Sequence, residues 1–179
     1  ASNLTIRNNR IRGATESYGI VLNDGNANCR VEKNRIKGIT IGILTSTNSD
    51  GHTIRGNLCS NNLAGFLVLG SRIKLSDNKA HSNDVGGFAI LFGANNRLEG
   101  NTANRNGQFG MLFQSVSQSG IGAGNVCNFN GQYGISITGG KDNTVFKNDF
   151  HCNGEQDIID SGTNTRFRDN STGPLPECK

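Results

Sequence analysis

Apolar and polar positions along this chain fall into short bursts, and no stretch shows the 3.6-residue spacing of an amphipathic helix. The segment from Ile54 to Asn62, Ile-Arg-Gly-Asn-Leu-Cys-Ser-Asn-Asn, is one copy of a pattern that reads apolar, two residues, Asn, one residue, apolar. Other copies begin at Ile6, Val31, Leu75, Leu98, Val145 and Phe167, with a degenerate copy near Gly122. Their Asn residues, Asn9, Asn34, Asn57, Asn78, Asn101, Asn125, Asn148 and Asn170, are 21 to 25 positions apart. A second Asn follows in the third to seventh copies, at Asn62, Asn83, Asn106, Asn130 and Asn153. Soon after it a Gly opens a short apolar strand, as in Gly65-Phe66-Leu67-Val68 and Gly110-Met111-Leu112-Phe113. Self-similarity at this period is the mark of a repeat architecture.

A repeat of three short strands cannot enclose a core alone and must stack on copies of itself. Stacking sets equivalent residues about 4.8 Å apart on parallel strands. The Asn residues at the tight turn, together with the Gly-apolar-x-apolar strand, resemble the repeats of the right-handed parallel β-helix family, the pectate-lyase-like superfamily. That superfamily includes secreted polysaccharide-active proteins and phage tailspikes. The resemblance runs from Ile6 to Asn170 and implies an all-β fold: a single-stranded right-handed parallel β-helix of about seven to eight coils with an internal Asn ladder. On this reading residues 1–170 are the β-helix and residues 171–179 a C-terminal tail, because Pro174 and Pro176 cannot continue a hydrogen-bonded ladder. The ladder Asn residues are expected to bond from coil to coil and to occupy the left-handed backbone of the turn.

Three apolar columns are predicted inside. One holds Ile20, Ile43, Phe66, Phe88, Met111, Ile135 and Ile158. The second holds Leu22, Thr45, Val68, Ile90, Phe113, Ile137 and Asp160, and the third Ile6, Val31, Ile54, Leu75, Leu98, Val145 and Phe167. In the sixth coil Gly122 stands where an apolar residue is expected, which predicts a bulge. The first coil, from Ala1 to Ala14, has no capping helix, so a preceding segment or another subunit is expected to cover it. The chain therefore reads as a mature form or a fragment.

The faces decide the functional expectation. In the family the resemblance points to, catalytic groups project from the outer face of the Gly-apolar sheet and its bordering loops. Here alternation puts Leu44, Leu67, Leu69, Leu91 and Leu112 on that face, an apolar stripe that predicts an interface. The polar groups nearest to a catalytic set are Asp24, Asp50 and His52, with Arg72 beside them. A carboxylate and an imidazole could abstract a proton next to a uronate carboxyl group, although Asp24-Gly25 and Asp50-Gly51 also read as ordinary turns. Four positions before the ladder Asn stand Arg30, Lys74, Arg97 and Arg166, a basic column suited to an anionic polysaccharide.

Composition narrows the rest. Among 179 residues there are 25 Gly, 2 Pro and no Trp, with a net charge of +4. The Gly excess is positional, since turns need positive φ. No basic run interleaves with aromatics as in a nucleic-acid module, and no apolar run approaches the roughly 18 residues of a membrane span. Cys59 and Cys127 share a repeat position and read as buried apolar side chains. Cys152 and Cys178 form the one plausible disulfide if the tail folds back. No Cys or His spacing indicates a metal, and no cofactor is expected. His81 and His151, three after the ladder Asn, are expected on the surface. The chain is thus expected to be a secreted or cell-surface module, non-catalytic, serving self-association, polysaccharide contact or both. The alternatives are a lyase, epimerase or hydrolase on acidic glycans, and a trimeric tailspike fragment.

Overall fold

The computed structural model describes residues 2–13, 16–174 and 178. They form a parallel solenoid of three sheets with no helix longer than a single turn. The strand before each ladder Asn belongs to an eight-stranded first sheet, running from Thr5–Arg7 to Arg166–Arg168. Strands after the Asn make the second sheet, and the Gly-apolar strands make a seven-stranded third sheet, from Tyr18–Leu22 to Gln156–Asp160. Every pairing is parallel and joins residues one repeat apart, such as Leu75 with both Ile54 and Leu98.

The register follows the sequence columns. Ile43, Phe66, Phe88 and Met111 are successive partners in the third sheet and are all buried. The rings of Phe66 and Phe88 stack, their centroids 4.5 Å apart. Ile36, Cys59, Ala80, Ala103, Cys127 and Phe150 fill another buried column behind the second sheet. Burial of this apolar area is the main force holding the coils together.

Corners are built by a two-residue device. At the ladder corner the residue before the Asn takes the left-handed conformation: Asn8, Lys33, Asp77, Lys147 and Asp169 have φ of 53–59°, and Gly56, Gly100 and Gly124 occupy the same place. The ladder Asn residues do not carry positive φ. The turn expected at the Asn therefore sits one residue earlier, which leaves the Asn side chain free to point inward. Asn62, Asn83, Asn106, Asn130 and Asn153 are likewise each preceded by a left-handed residue.

Inward-pointing amides then bond along the stack. Asn101 Oδ1 accepts from both the backbone N–H and the Nδ2 of Asn78, at 3.0 and 3.1 Å, while its own Nδ2 donates to Leu75 O and Asn125 Oδ1. The same pattern joins Asn9 to Asn34, Asn34 to Asn57 and so on to Asn170. A second ladder runs from Asn62 to Asn153 and ends on the carboxylate of Asp157, which accepts from Asn153 Nδ2 at 2.7 Å.

Glycine is required where the third sheet begins. A Cβ on Gly87 would lie 2.6 Å from Gly110 O and 2.9 Å from Ala103 Cβ, and Gly42, Gly65 and Gly110 are confined in the same way. Gly134 is confined in the same way by Asp157 O at 2.6 Å, and Asp157 itself occupies this position in the last coil, where no further strand of the third sheet follows among the described residues.

The sixth coil departs from its neighbours. Ile121, not Gly122, pairs with Leu98 and Val145 and keeps the third column apolar. The extra residue is taken up between Gly122 and Gly124, where Asn125 Nδ2 donates to Gly122 O and Gly124 has φ 78°. At the other end, Ser171–Gly173 still pairs with Asp149–His151, so ladder pairing continues three residues past Asn170. Cys152 and Cys178 form a disulfide, with Cα atoms 5.1 Å apart. Pro176, Ala1 and Ala14, to which the sequence assigned end positions, lie outside the described residues.

Candidate binding faces and a buried histidine

The third sheet places its leucines in register on the outside. Leu44 pairs with Leu67, and Ala89 with both Leu67 and Leu112. Leu44, Leu67, Leu69, Leu91 and Leu112 are each half-buried, so the stripe is partly wet and partly shielded by its own neighbours. At these outward positions no carboxylate, imidazole or cation interrupts the stripe between Val21 and Ser136.

On the first sheet, Arg30, Lys74, Arg97 and Arg166 are all exposed and occupy one register position, shared with Thr5, Thr53, Gly120 and Thr144. Only Lys74 and Arg97 are immediate neighbours. Gly120 and Gly122 leave a cleft of about 430 Å³ in this face, bordered by Arg97, Glu99, Asp142, Thr144 and Phe146.

The loop set divides. Asp24 is exposed and accepts from Asn48 N–H at 3.4 Å. Asp50 accepts from Ser71 N–H and pairs with Arg72 at 2.8 Å, each contact reaching the following coil. His52 is fully buried. Its Nδ1 accepts from Cys29 N–H at 3.0 Å, so the neutral ring carries its proton on Nε2 and donates it to Ser49 Oγ at 2.6 Å. Burial lowers the His52 pKa, and the nearby Asp50 carboxylate offsets part of that shift. Neither ring nitrogen is left free to take a proton from outside.

His52 belongs to a third corner ladder that pattern reading missed. Further along it, Ile73 N–H donates to Asn96 Oδ1, Asn96 N–H to Ser119 Oγ and Ser119 N–H to Asn143 Oδ1. The members differ in residue type, which hides the period. Each still follows a left-handed residue: Gly51, Asn95, Gln118 and Asp142. His151, expected on the surface, is also buried, with its ring against Gly173 O, Ser171 Oγ and Asp149. The pairing of Ser171–Gly173 with its strand is what covers it. His81 is exposed.

The second sheet also carries cations, at positions given no role above. The residues flanking its buried column are Arg10 and Arg12, Arg35 and Lys37, and farther along Lys79, all exposed. Arg10, Arg35 and Lys79 stand immediately after the ladder Asn, and Arg12 and Lys37 three after it, the repeat position of His81 and His151.

Residues 2–174 match the family described as NosD, periplasmic copper-binding protein. The chain belongs to the NosD family. A copper site draws on thiolate, thioether and imidazole ligands. Cys29, Cys59 and Cys127 are buried and unpaired, and burial pushes the thiols of Cys59 and Cys127 up, away from the thiolate a metal needs. Met111, the one Met, is buried in the core, and both His52 and His151 are engaged. Among the described residues no group of three or more His, Cys, Asp or Glu converges, so these residues do not fit a copper centre.

No curated protein sequence matches this NosD-family chain. Among solved structures it resembles the periplasmic alginate epimerase AlgG, with TM-score 0.76 and 21% identity over 93% of this chain and 44% of that one. A point mutant of AlgG aligns with TM-score 0.83 and 19% identity over 95% of this chain and 46% of that one. The mannuronan C-5 epimerase AlgE4 A-module of Azotobacter vinelandii aligns with TM-score 0.62 and 15% identity over 94% and 59% of the two chains. At these identities the likeness is one of fold, the right-handed parallel β-helix. The chain spans less than half of AlgG and about three fifths of the AlgE4 module. Among the described residues no helix is long and apolar enough to cross a membrane.

Proposed function

We propose that this chain is a non-catalytic β-helix module of a periplasmic or secreted protein, which associates with itself through the third sheet and contacts acidic polysaccharide through its basic faces. The observation that carries the first half is the in-register leucine stripe of Leu44, Leu67, Leu69, Leu91 and Leu112. Apolar area of this kind gains by leaving water, and a flat face has little to bury it against except a second flat face. The Arg30, Lys74, Arg97 and Arg166 column supports the second half, as does the fold shared with two polysaccharide epimerases. The family description and the Cys152–Cys178 disulfide favour an oxidising compartment.

Solution mass is the test. The unmodified chain is expected to exceed the monomer mass, and a Leu67→Asp, Leu112→Asp variant to run as a monomer. A monomer in both cases removes self-association, and a trimer moves the assembly toward the tailspike alternative.

A second reading, an enzyme on acidic glycans, is favoured by the likeness to the epimerases. It draws on Asp24, Asp50 and Arg72, which lie in loops of neighbouring coils, while buried His52, with both ring nitrogens engaged, only holds the corner behind them. A change in uronate stereochemistry or new unsaturated ends in polyuronate incubated with the chain, lost in Asp50→Asn, would establish it in place of the non-catalytic reading.

A further inference from the structure

The cations of this protein are of two kinds. Arg55, Arg72 and Arg168 each hold a carboxylate, of Asp77, Asp50 and Asp169, at 2.8–3.1 Å, and Arg105 lies over the Phe129 ring at 5.4 Å. Arg10, Arg12, Arg35 and Lys37 make no such pair among the described residues. They are gathered on two adjacent strands of the second sheet, Arg10 beside Arg35 and Arg12 beside Lys37. Neighbouring strands are about 4.8 Å apart, so each pair sets like charges side by side, which opposes folding.

Lys79 continues the Arg10 and Arg35 column one coil beyond Leu58, and Lys33 stands on the adjoining corner. Two adjoining hollows, of about 540 and 210 Å³, lie among these side chains, and both share Arg10, Arg35 and the half-buried Leu58. Asp77, the one carboxylate lining these hollows, is bonded to Arg55. The face is therefore predominantly positive, with open access and a small apolar floor.

A surface of one sign concentrates counter-ions of the other. Arg forks fit carboxylate and phosphate oxygens in pairs, while Lys supplies a point charge. The outward positions of these strands hold no aromatic side chain on which nucleobases could stack. Leu58 suits the C–H face of a sugar ring, and cations on the first, second and fourth coils suit a chain that carries an acid on every unit.

We propose that the outer face of strands Arg10–Arg12 and Arg35–Lys37, extended by Lys33 and Lys79, is a binding site for a polyuronate chain. This rests on the acidic-glycan reading above, but it moves the principal contact from the first sheet to the second.

The test uses the full chain and polygalacturonate, with neutral dextran and inorganic polyphosphate as comparison ligands, at low and at physiological salt. Arg35→Gln, Lys37→Gln is expected to weaken polygalacturonate binding about tenfold or more, as the loss of one or two charge-assisted hydrogen bonds would. Lys74→Gln, Arg97→Gln on the first sheet, the secondary contact, should weaken it by a clearly smaller factor than the second-sheet variant does, as isolated surface charges do. Because the substituted side chains are exposed and repel one another, the urea midpoint of the first variant should be unchanged or higher. A loss confined to the first-sheet variant overturns the site and leaves the glycan reading standing. Failure of the unmodified chain to bind polygalacturonate overturns both. Equal affinity for polyphosphate overturns the choice of carboxylate.

Discussion

Substituting Asn101 by Ala isolates the contribution of the inner ladder. Asn101 is fully buried in the fifth coil. The change removes four hydrogen bonds: two accepted from Asn78, and two donated to Leu75 O and Asn125 Oδ1. The losses are unequal. The Asn78 side chain keeps its bond to Ile54 O, and Asn125 Oδ1 keeps the Asn101 N–H, but the Asn78 backbone N–H is orphaned in the core. A buried unpaired donor costs about 1–3 kcal/mol, and the lesser losses bring the expected total to about 3 kcal/mol. Asn9, the first member of the ladder, is exposed, and removing its side chain takes away two donated bonds without stranding a buried group. Asn9→Ala should therefore cost less than about 1 kcal/mol. Urea denaturation followed by far-UV circular dichroism measures both, with the slope checked for constancy before midpoints are compared. Equal midpoints for the two variants would refute the claim that burial of the stranded amide, and not the Asn type, sets the cost.

Further substitutions test other parts of the stack. His52→Asn places an amide oxygen where Nδ1 accepts from Cys29 N–H and should preserve stability, whereas His52→Ala should cost about 1–3 kcal/mol by urea midpoint. Because the folded state lowers the His52 pKa, its contribution is complete above the unfolded value near 6.5 and is lost as pH falls below it. Comparing midpoints at pH 7.5 and 5.5, the unmodified chain should lose more than His52→Asn does. Thr45→Val should raise the unfolding free energy by about 1 kcal/mol, read as a higher urea midpoint, since Thr45 Oγ1 is buried without a partner between Leu22 and Val68. Gly87→Ala should lower stability or prevent folding, while Gly25→Ala, with open space around its added Cβ, should cost only the strain of its positive φ, as the same denaturation curves would show.

The fold was readable because its period is written in residues that stacking makes equivalent. An Asn every 21 to 25 positions marks one corner, and apolar residues at fixed offsets from it mark the columns. What escaped notice follows from the same physics. The third ladder uses His52, Asn96, Ser119 and Asn143 because a corner N–H needs an acceptor and not a particular residue, so composition varies where function is conserved by geometry. The left-handed residue was placed on the Asn itself, since Asn tolerates it, although the structure gives it to Lys33 or Asp77, whose side chains stay on the outside of the coil. Candidate sites were harder still. Burial of His52 depends on Ser49 and Cys29 folding around it in two coils, and the basic face of Arg10, Arg12, Arg35 and Lys37 arises only once residues 25 apart stand side by side.

The stacking itself is open to direct measurement. Spin labels on cysteines introduced at Arg30 and Arg166, read by double electron–electron resonance, span six strand spacings of the first sheet. The native unpaired thiols are buried and leave the labelling specific. At about 4.8 Å per spacing the account predicts one narrow distribution centred near 29 Å between the backbone positions. A broad distribution, or a centre below about 20 Å, would contradict a stack of parallel coils in this register.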